Sequence, residues 1–159
     1  MKHILLILLL VLNINVFSQK YISLSPSLFT NAGTFKERFT PTIEVGQQWK
    51  SFSLGFDVGK FNVTPQRGKD TTFYFEVRPN LNVFQQDKFT NTLTIGVGYV
   101  FNASESLLNE LTTGIEYTPT DRLSYNVYVG TYYLSGSTSA SNNNFFGISL
   151  MYFFTPYKH

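Results

Sequence analysis

The sequence predicts an all-β chain, with eight antiparallel strands in an up-and-down meander closed into a transmembrane β-barrel, and three observations predict it. Apolar residues alternate with small polar ones at a period of two from Tyr21 to Phe154, and no stretch keeps them at helical spacing for three turns. Short and long connections alternate along the chain, which gathers tight links at one end of the sheet and long polar links at the other. Charge is scarce. The 159 residues are 43% hydrophobic and 17% aromatic but only 14% charged, well below the roughly 25% of soluble domains. The length fits one domain. The near-neutral balance argues against a nucleic-acid surface, and the lack of cysteine excludes disulfides and thiolate chemistry.

The first element is not part of the barrel. Lys2 and His3 precede an unbroken apolar run from Ile4 to Leu12, too short to cross a bilayer as a helix and suited to the core of a secretory signal. The polar stretch Asn13 to Ser18 follows. Val16 and Ser18 occupy the third and first positions before a cut between Ser18 and Gln19, so residues 1–18 are read as a cleaved signal peptide and 19–159 as the barrel.

Each strand then shows the same two faces. Tyr21 to Phe29 sets Ile22, Leu24 and Leu28 against Ser23, Ser25 and Ser27. Arg38 to Gln47 sets Phe39, Ile43 and Val45 against Thr40, Thr42 and Glu44. Ser51 to Phe61 alternates Phe52, Leu54, Phe56 and Val58 with Ser53, Gly55 and Asp57. In Thr72 to Phe84 the apolar set is Phe73, Phe75, Val77, Leu81 and Val83, and the other face carries Glu76, Arg78, Asn80 and Asn82. Phe89 to Phe101 opposes Leu93, Ile95, Val97 and Tyr99 to Thr94, Gly96 and Gly98. Glu110 to Thr118 gives Leu111, Ile115 and Tyr117 against Thr112, Gly114 and Glu116. Leu123 to Tyr133 gives Tyr125, Val127, Val129 and Tyr133 against Ser124, Asn126 and Gly130. Phe145 to Phe154 closes the series with Phe146, Ile148, Leu150, Tyr152 and Phe154 against Gly147 and Ser149. Tight links fall at 47–50, 85–88 and 119–122, and long ones at 30–37, 62–71, 102–109 and 134–144. The last long link is a Ser/Asn low-complexity run and is expected to be mobile.

Only Pro26, Pro41, Pro79, Thr113 and Thr131 interrupt the apolar face, which is read as free of charge in all eight strands. The alternate face is mostly Ser, Thr, Gly and Asn, the filling of a narrow interior. A soluble barrel would instead clothe its outside in Lys and Glu. The apolar belt therefore faces outward into lipid, and closure of the sheet satisfies the backbone. The remaining charges, among them Lys36, Glu37, Arg38, Lys50, Arg67, Lys69, Asp70, Asp87, Lys88, Asp121 and Arg122, fall in the links. Aromatics gather at strand ends, with Trp49, Phe84, Phe89, Tyr117, Tyr152 and Phe154 at the short-link end and Phe39, Phe61, Phe73, Phe101 and Tyr133 at the other, as in two interfacial girdles. The three prolines are expected to mark bulges or strand ends, because each removes a ladder hydrogen bond.

The hairpin from Gly114 to Tyr125, with its Thr118-Pro119-Thr120-Asp121-Arg122 turn, resembles the strand, tight turn, strand unit of small OmpA/OmpX-type outer-membrane barrels. Phe89 to Tyr99 looks like another strand of that family, and Phe145 to Tyr152 is similar to its closing assembly signal, although Thr155 to His159 extend beyond the last aromatic. Phe17-Ser18 followed by Gln19 also resembles the signal ends of Bacteroidota exported proteins. The resemblance implies a Gram-negative cell outer membrane as location. It implies outer-membrane lipid and the barrel-assembly machinery as partners, together with an unspecified surface ligand of the loops.

No enzyme activity, metal or cofactor is expected. His3 leaves with the signal and His159 is the last residue, so a Ser-His-Asp arrangement has no histidine to use. The chemistry present lies in the predicted lumen. Glu44, Asp57, Glu76 and Glu116 outnumber Arg78, with Tyr74, Tyr128 and Tyr132 as hydrogen-bond partners. Arg78 is expected near mid-height, held by Glu76 or Asp57, since one guanidinium serves two carboxylates. Such a network either plugs the barrel or lines a narrow, cation-preferring, porin-like path. The function read from the sequence is an envelope-structural or surface-interaction role through the loops. The alternatives are a small pore for ions or solutes and a secreted soluble barrel that binds an apolar ligand.

Overall fold

The computed structural model describes residues 18–30, 39–61, 72–103, 105–136 and 140–155. The strands are β1 (Gln19–Leu24), β2 (Ser27–Phe29), β3 (Phe39–Thr40), β4 (Thr42–Gln48), β5 (Phe52–Phe61), β6 (Thr72–Gln86), β7 (Phe89–Val100), β8 (Leu107–Thr120), β9 (Leu123–Ser135) and β10 (Ala140–Phe153). β1 and β2 are two halves of one barrel strand, and β3 and β4 of the next, because each pair keeps one register across its break. Every neighbour is antiparallel and β1 closes on β10, which gives an eight-stranded barrel. The segment before Ser18 that is expected to be a signal peptide lies outside the described residues, as do Lys36, Glu37, Arg38, Arg67, Lys69 and Asp70 and the side chain of Phe61.

The register fixes the shape. A path through the paired positions Gln19, Gln48, Ser53, Asn80, Thr94, Thr112, Gly130 and Phe145 returns to the first barrel strand at Phe29, ten residues above its start. Across eight strands that stagger tilts each by about 40°. Tight links at 49–51, at Asp87 and Lys88, and at Asp121 and Arg122 share one end with the start of β1 and the end of β10. Asp87 takes the left-handed conformation (φ 52°) that its two-residue hairpin requires.

The apolar face points outward throughout. Val127, Ile148 and Ile115 expose 64%, 59% and 56% of their surface, while their neighbours Asn126, Ser149 and Glu116 turn inward. Aromatic pairs ring both ends of this belt. Trp49 stacks on Phe52 at 4.5 Å and Phe89 on Tyr117 at 5.0 Å at the turn end, while Tyr99 meets Phe101 at 5.3 Å at the loop end. Phe89 and Tyr99 lie ten residues apart on β7, or about 25 Å along the axis at this tilt, the height of an outer-membrane apolar band.

Four expectations need correction. β8 begins at Leu107, β9 runs to Ser135 and β10 begins at Ala140, so the long links 102–109 and 134–144 are shorter than the polarity of their residues suggests. Ala140 to Asn144 pair with Ser135 to Thr131 despite poor β propensity, because Leu134 and Phe145 are buried in the barrel mouth and hold the ladder. The apolar face is not free of charge: Lys60 lies on it at the loop end of β5, and Lys20 at the turn end of β1. Pro26 and Pro41 do end strand segments, but Pro79 sits inside β6, paired with Leu54. It has no N–H to offer β7, and the bridges between β6 and β7 lapse at Arg78 and Pro79 without a change of register. Finally, the inner face is not made only of small residues. Phe29, Tyr74, Val100, Leu108, Tyr132, Leu134 and Phe145 pack as a plug at the loop end, and Tyr21, Met151 and Phe153 as a smaller one at the turn end.

Glycine makes this filling possible. Tyr21, Tyr74 and Tyr128 each lie directly across from a glycine on the adjacent strand, namely Gly46, Gly59 and Gly147. A Cβ on Gly147 would sit 2.5 Å from Cζ of Tyr128. Gly147→Ala is therefore expected to lower stability in lipid by about 1–3 kcal/mol through overpacking. Tyr128→Leu in the same chain should restore part of the loss, read as the urea midpoint of each variant.

Candidate functional site

The register sets three carboxylates side by side. Glu44 on β4 pairs with Asp57 on β5, which pairs with Glu76 on β6, all facing inward at mid-barrel. Like charges directly opposite one another are unfavourable, so the row demands a cation nearby. Arg78 supplies it from β6, two positions from Glu76 and on the same face.

Its guanidinium is held by acids from both sides of the lumen. Nη1 donates to Oε2 of Glu44 at 2.6 Å, while Nε and Nη2 donate to the two carboxylate oxygens of Glu110 at 2.8 and 2.9 Å. Asp57 Oδ2 stands 3.7 Å from Nη1. The fork onto Glu110 is the bidentate geometry that a planar guanidinium favours. Arg78 lies on the inner face at mid-barrel, and its principal partners are Glu44 and Glu110. Asp57 is a secondary contact, and no donor reaches either oxygen of Glu76 among the described residues. Glu110 stands at the very start of the strand that the sequence predicts, where alternation is weakest. The alternation through Thr112, Gly114 and Glu116, carried two residues back, points it inward.

Glu110 stands on β8, two strands from Arg78, and reaches it over β7 because Gly96 and Gly98 present no side chain there. A Cβ at Gly96 would meet the Glu76 carboxyl carbon at 2.6 Å and Cβ of Glu110 at 2.9 Å. Gly55, paired with Arg78, likewise leaves room for the Glu44 side chain. Close approach in the lumen is what these mid-strand glycines serve.

The tyrosines extend the network. Tyr21 donates to Glu44. Tyr74 hydrogen-bonds Thr42 Oγ1 at 3.0 Å and donates to Asp57 at 3.4 Å. Tyr132 packs in the aromatic plug, stacked on Phe145 at 4.5 Å, and Tyr128 donates to the Ser25 carbonyl at 3.4 Å. Glu116 is apart from this cluster, toward the turn end, where it accepts from Ser124 at 2.6 Å and Thr118 at 3.4 Å. Beside Arg78 a polar cavity of about 30 Å³, lined by Ser25, Glu44, Asn80, Thr94 and Asn126, has room for about two water molecules.

The arrangement neutralises and fills. Among the described residues no group of three or more His, Cys, Asp or Glu side chains is placed to hold a metal ion. His3 and His159 lie outside the described residues.

No protein-family model and no curated protein sequence matches the chain. Solved structures do share its fold. The de novo designed TMB2.3 superposes with a TM-score of 0.61 at 14% identity, over 89% of this chain and 99% of that one. The Yersinia pestis outer membrane protein Ail, determined in a phospholipid bilayer nanodisc, gives 0.50 at 10% identity over 84% of this chain and 99% of that one. Neisserial surface protein A (NspA) gives 0.48 at 12% identity over 85% and 93%. At these identities the likeness is one of fold, the eight-stranded transmembrane barrel.

Proposed function

We propose that the chain is an integral outer-membrane protein, exported through a signal cleaved after Ser18, whose barrel anchors surface loops in an envelope-structural or surface-interaction role without catalysis. The observation that carries this reading is the outward apolar belt between two aromatic rings on a barrel whose inside is already full. A belt of that height is solvated by lipid and not by water. The aromatic plug and the Arg78 cluster fill much of the lumen and leave a small polar cavity beside the guanidinium, which supports a stabilising plug over a conducting path. A soluble carrier of apolar ligands would need its apolar face inside, and here that face is outside.

Fractionation of cells producing the full chain tests the location. Recovery with the outer membrane, with a folded band that moves on boiling, is the expected result, and recovery in a detergent-free periplasmic extract would sink it. In planar bilayers the purified barrel is expected to be silent. Steady openings whose selectivity changes on Glu44→Gln together with Glu116→Gln would favour the pore instead.

A further inference from the structure

The outer face carries a groove where the first two barrel strands meet. Pro26 and Pro41 fall opposite each other between the paired positions Leu24↔Ile43 and Ser27↔Thr40. Ser25 donates to the Thr42 carbonyl at 2.9 Å, so the next pair, Pro26 with Pro41, is a non-hydrogen-bonded one and each ring nitrogen faces the strand on its other side. There the ladder runs one way only, with Ile148 N–H donating to Pro26 at 3.2 Å and Lys60 N–H to Pro41 at 3.3 Å. Two compact rings set among bulkier apolar neighbours leave a groove of about 490 Å³ lined by Leu24, Pro26, Pro41, Ile43, Val58 and Phe73. Lys60 lines its loop-end rim, level with the upper aromatic ring.

Two lysines lie on the outward face of the described strands, Lys20 at the turn end of β1 and Lys60 at the loop end of β5, and Lys60 is the one that borders this groove. Among the described residues it forms no ion pair, since all three salt bridges belong to Arg78. A lysine at this depth reaches headgroup level by snorkelling, and there the abundant anion is phosphate. Below it the groove is apolar and of a size to take a single alkyl chain. The two halves together describe an amphiphile with an anionic head and a hydrocarbon tail.

We propose that this groove binds a phosphorylated acyl lipid, one acyl chain lying on Pro26 and Pro41 and a phosphate on the Lys60 ammonium, and that this lipid is the phosphorylated glycolipid, lipid A, of the outer leaflet. The choice of lipid rests on the outer-membrane reading above, which sets the loop end of the barrel in that leaflet. The mature chain folded in zwitterionic detergent and titrated with lipid A in native mass spectrometry tests it. One lipid A is expected to stay on each barrel. Lys60→Gln should weaken retention about tenfold, as should removal of the phosphates from lipid A with the wild-type barrel. Ile43→Trp, which fills the groove, should release both forms, and Lys20→Gln at the turn end should change nothing. The boiling-dependent gel shift keeps misfolded variants out of the comparison.

The proposal is overturned if Lys60→Gln and Ile43→Trp both retain lipid A like the wild type, or if phosphatidylglycerol is held as tightly, which would make the groove an unselective anionic site. It is also overturned by a dimer that Ile43→Trp dissolves, which would give the face to a second copy. Binding by the purified barrel is independent of where the cell delivers it. Failure here with outer-membrane fractionation intact therefore sinks the groove alone, and mislocalisation sinks the location.

Discussion

Val129→Arg is expected to cost the folded barrel about 2–4 kcal/mol in lipid vesicles, while Tyr133→Arg, four residues along the same face of β9, costs about 0–1 kcal/mol. Val129 is 55% exposed and lies halfway between Tyr125 of the turn-end ring and Tyr133 of the loop-end ring. At that depth a guanidinium has neither water nor headgroups within easy reach. At Tyr133 it snorkels into the interface. Urea unfolding in vesicles measures both. Equal losses at the two positions would show that the cost is one of packing, and would remove the membrane from the explanation of the belt. Comparing two positions on one strand separates depth from any general effect of charge on assembly.

Arg78→Met is expected to destabilise by about 3–5 kcal/mol, because it leaves buried carboxylates without their counter-charge. Glu110 would lose both of its bonds to the guanidinium and Glu44 one, with Asp57 3.7 Å from the same cation. Adding Glu44→Gln, Asp57→Asn and Glu110→Gln to Arg78→Met is expected to recover more than half of the loss, since neutral amides are cheaper to bury than unpaired acids. The measurement is the unfolding free energy of the single, triple and quadruple variants. Additive losses would show that Arg78 acts by filling space and that its charge is incidental.

The lumen shows how far alternation carries a reading of sequence and where it stops. Once Thr112, Gly114 and Glu116 are assigned inward, Glu110 follows by parity, yet a strand read as starting at Glu110, three residues after β8 begins, leaves it at the very edge of the pattern. Lys60 is a failure of the opposite kind. Its position two residues after Val58 puts it on the apolar face, and the run of apolar neighbours conceals it. Glu44, Asp57 and Glu76 are each legible as inward acids, but that they stand in one row depends on how β4, β5 and β6 are shifted against one another. No local pattern encodes that shift. The prolines divide similarly: Pro26 and Pro41 read as strand ends from their own chemistry, whereas their meeting across two strands is a fact of register.

By itself, then, the sequence determined the strands, the tight turns and the side of each strand that meets lipid. These follow from period two and from the cost of charge in hydrocarbon, both of which act one residue at a time. Only the tertiary structure decided which side chains meet inside: that Glu110 crosses over Gly96 to hold Arg78, that Tyr128 seats on Gly147, and that two prolines open a groove beside Lys60. The reason is closure. A barrel joins its first strand to its last with a fixed stagger, and that stagger, a property of all eight strands at once, sets the height at which every inward side chain finds its neighbours.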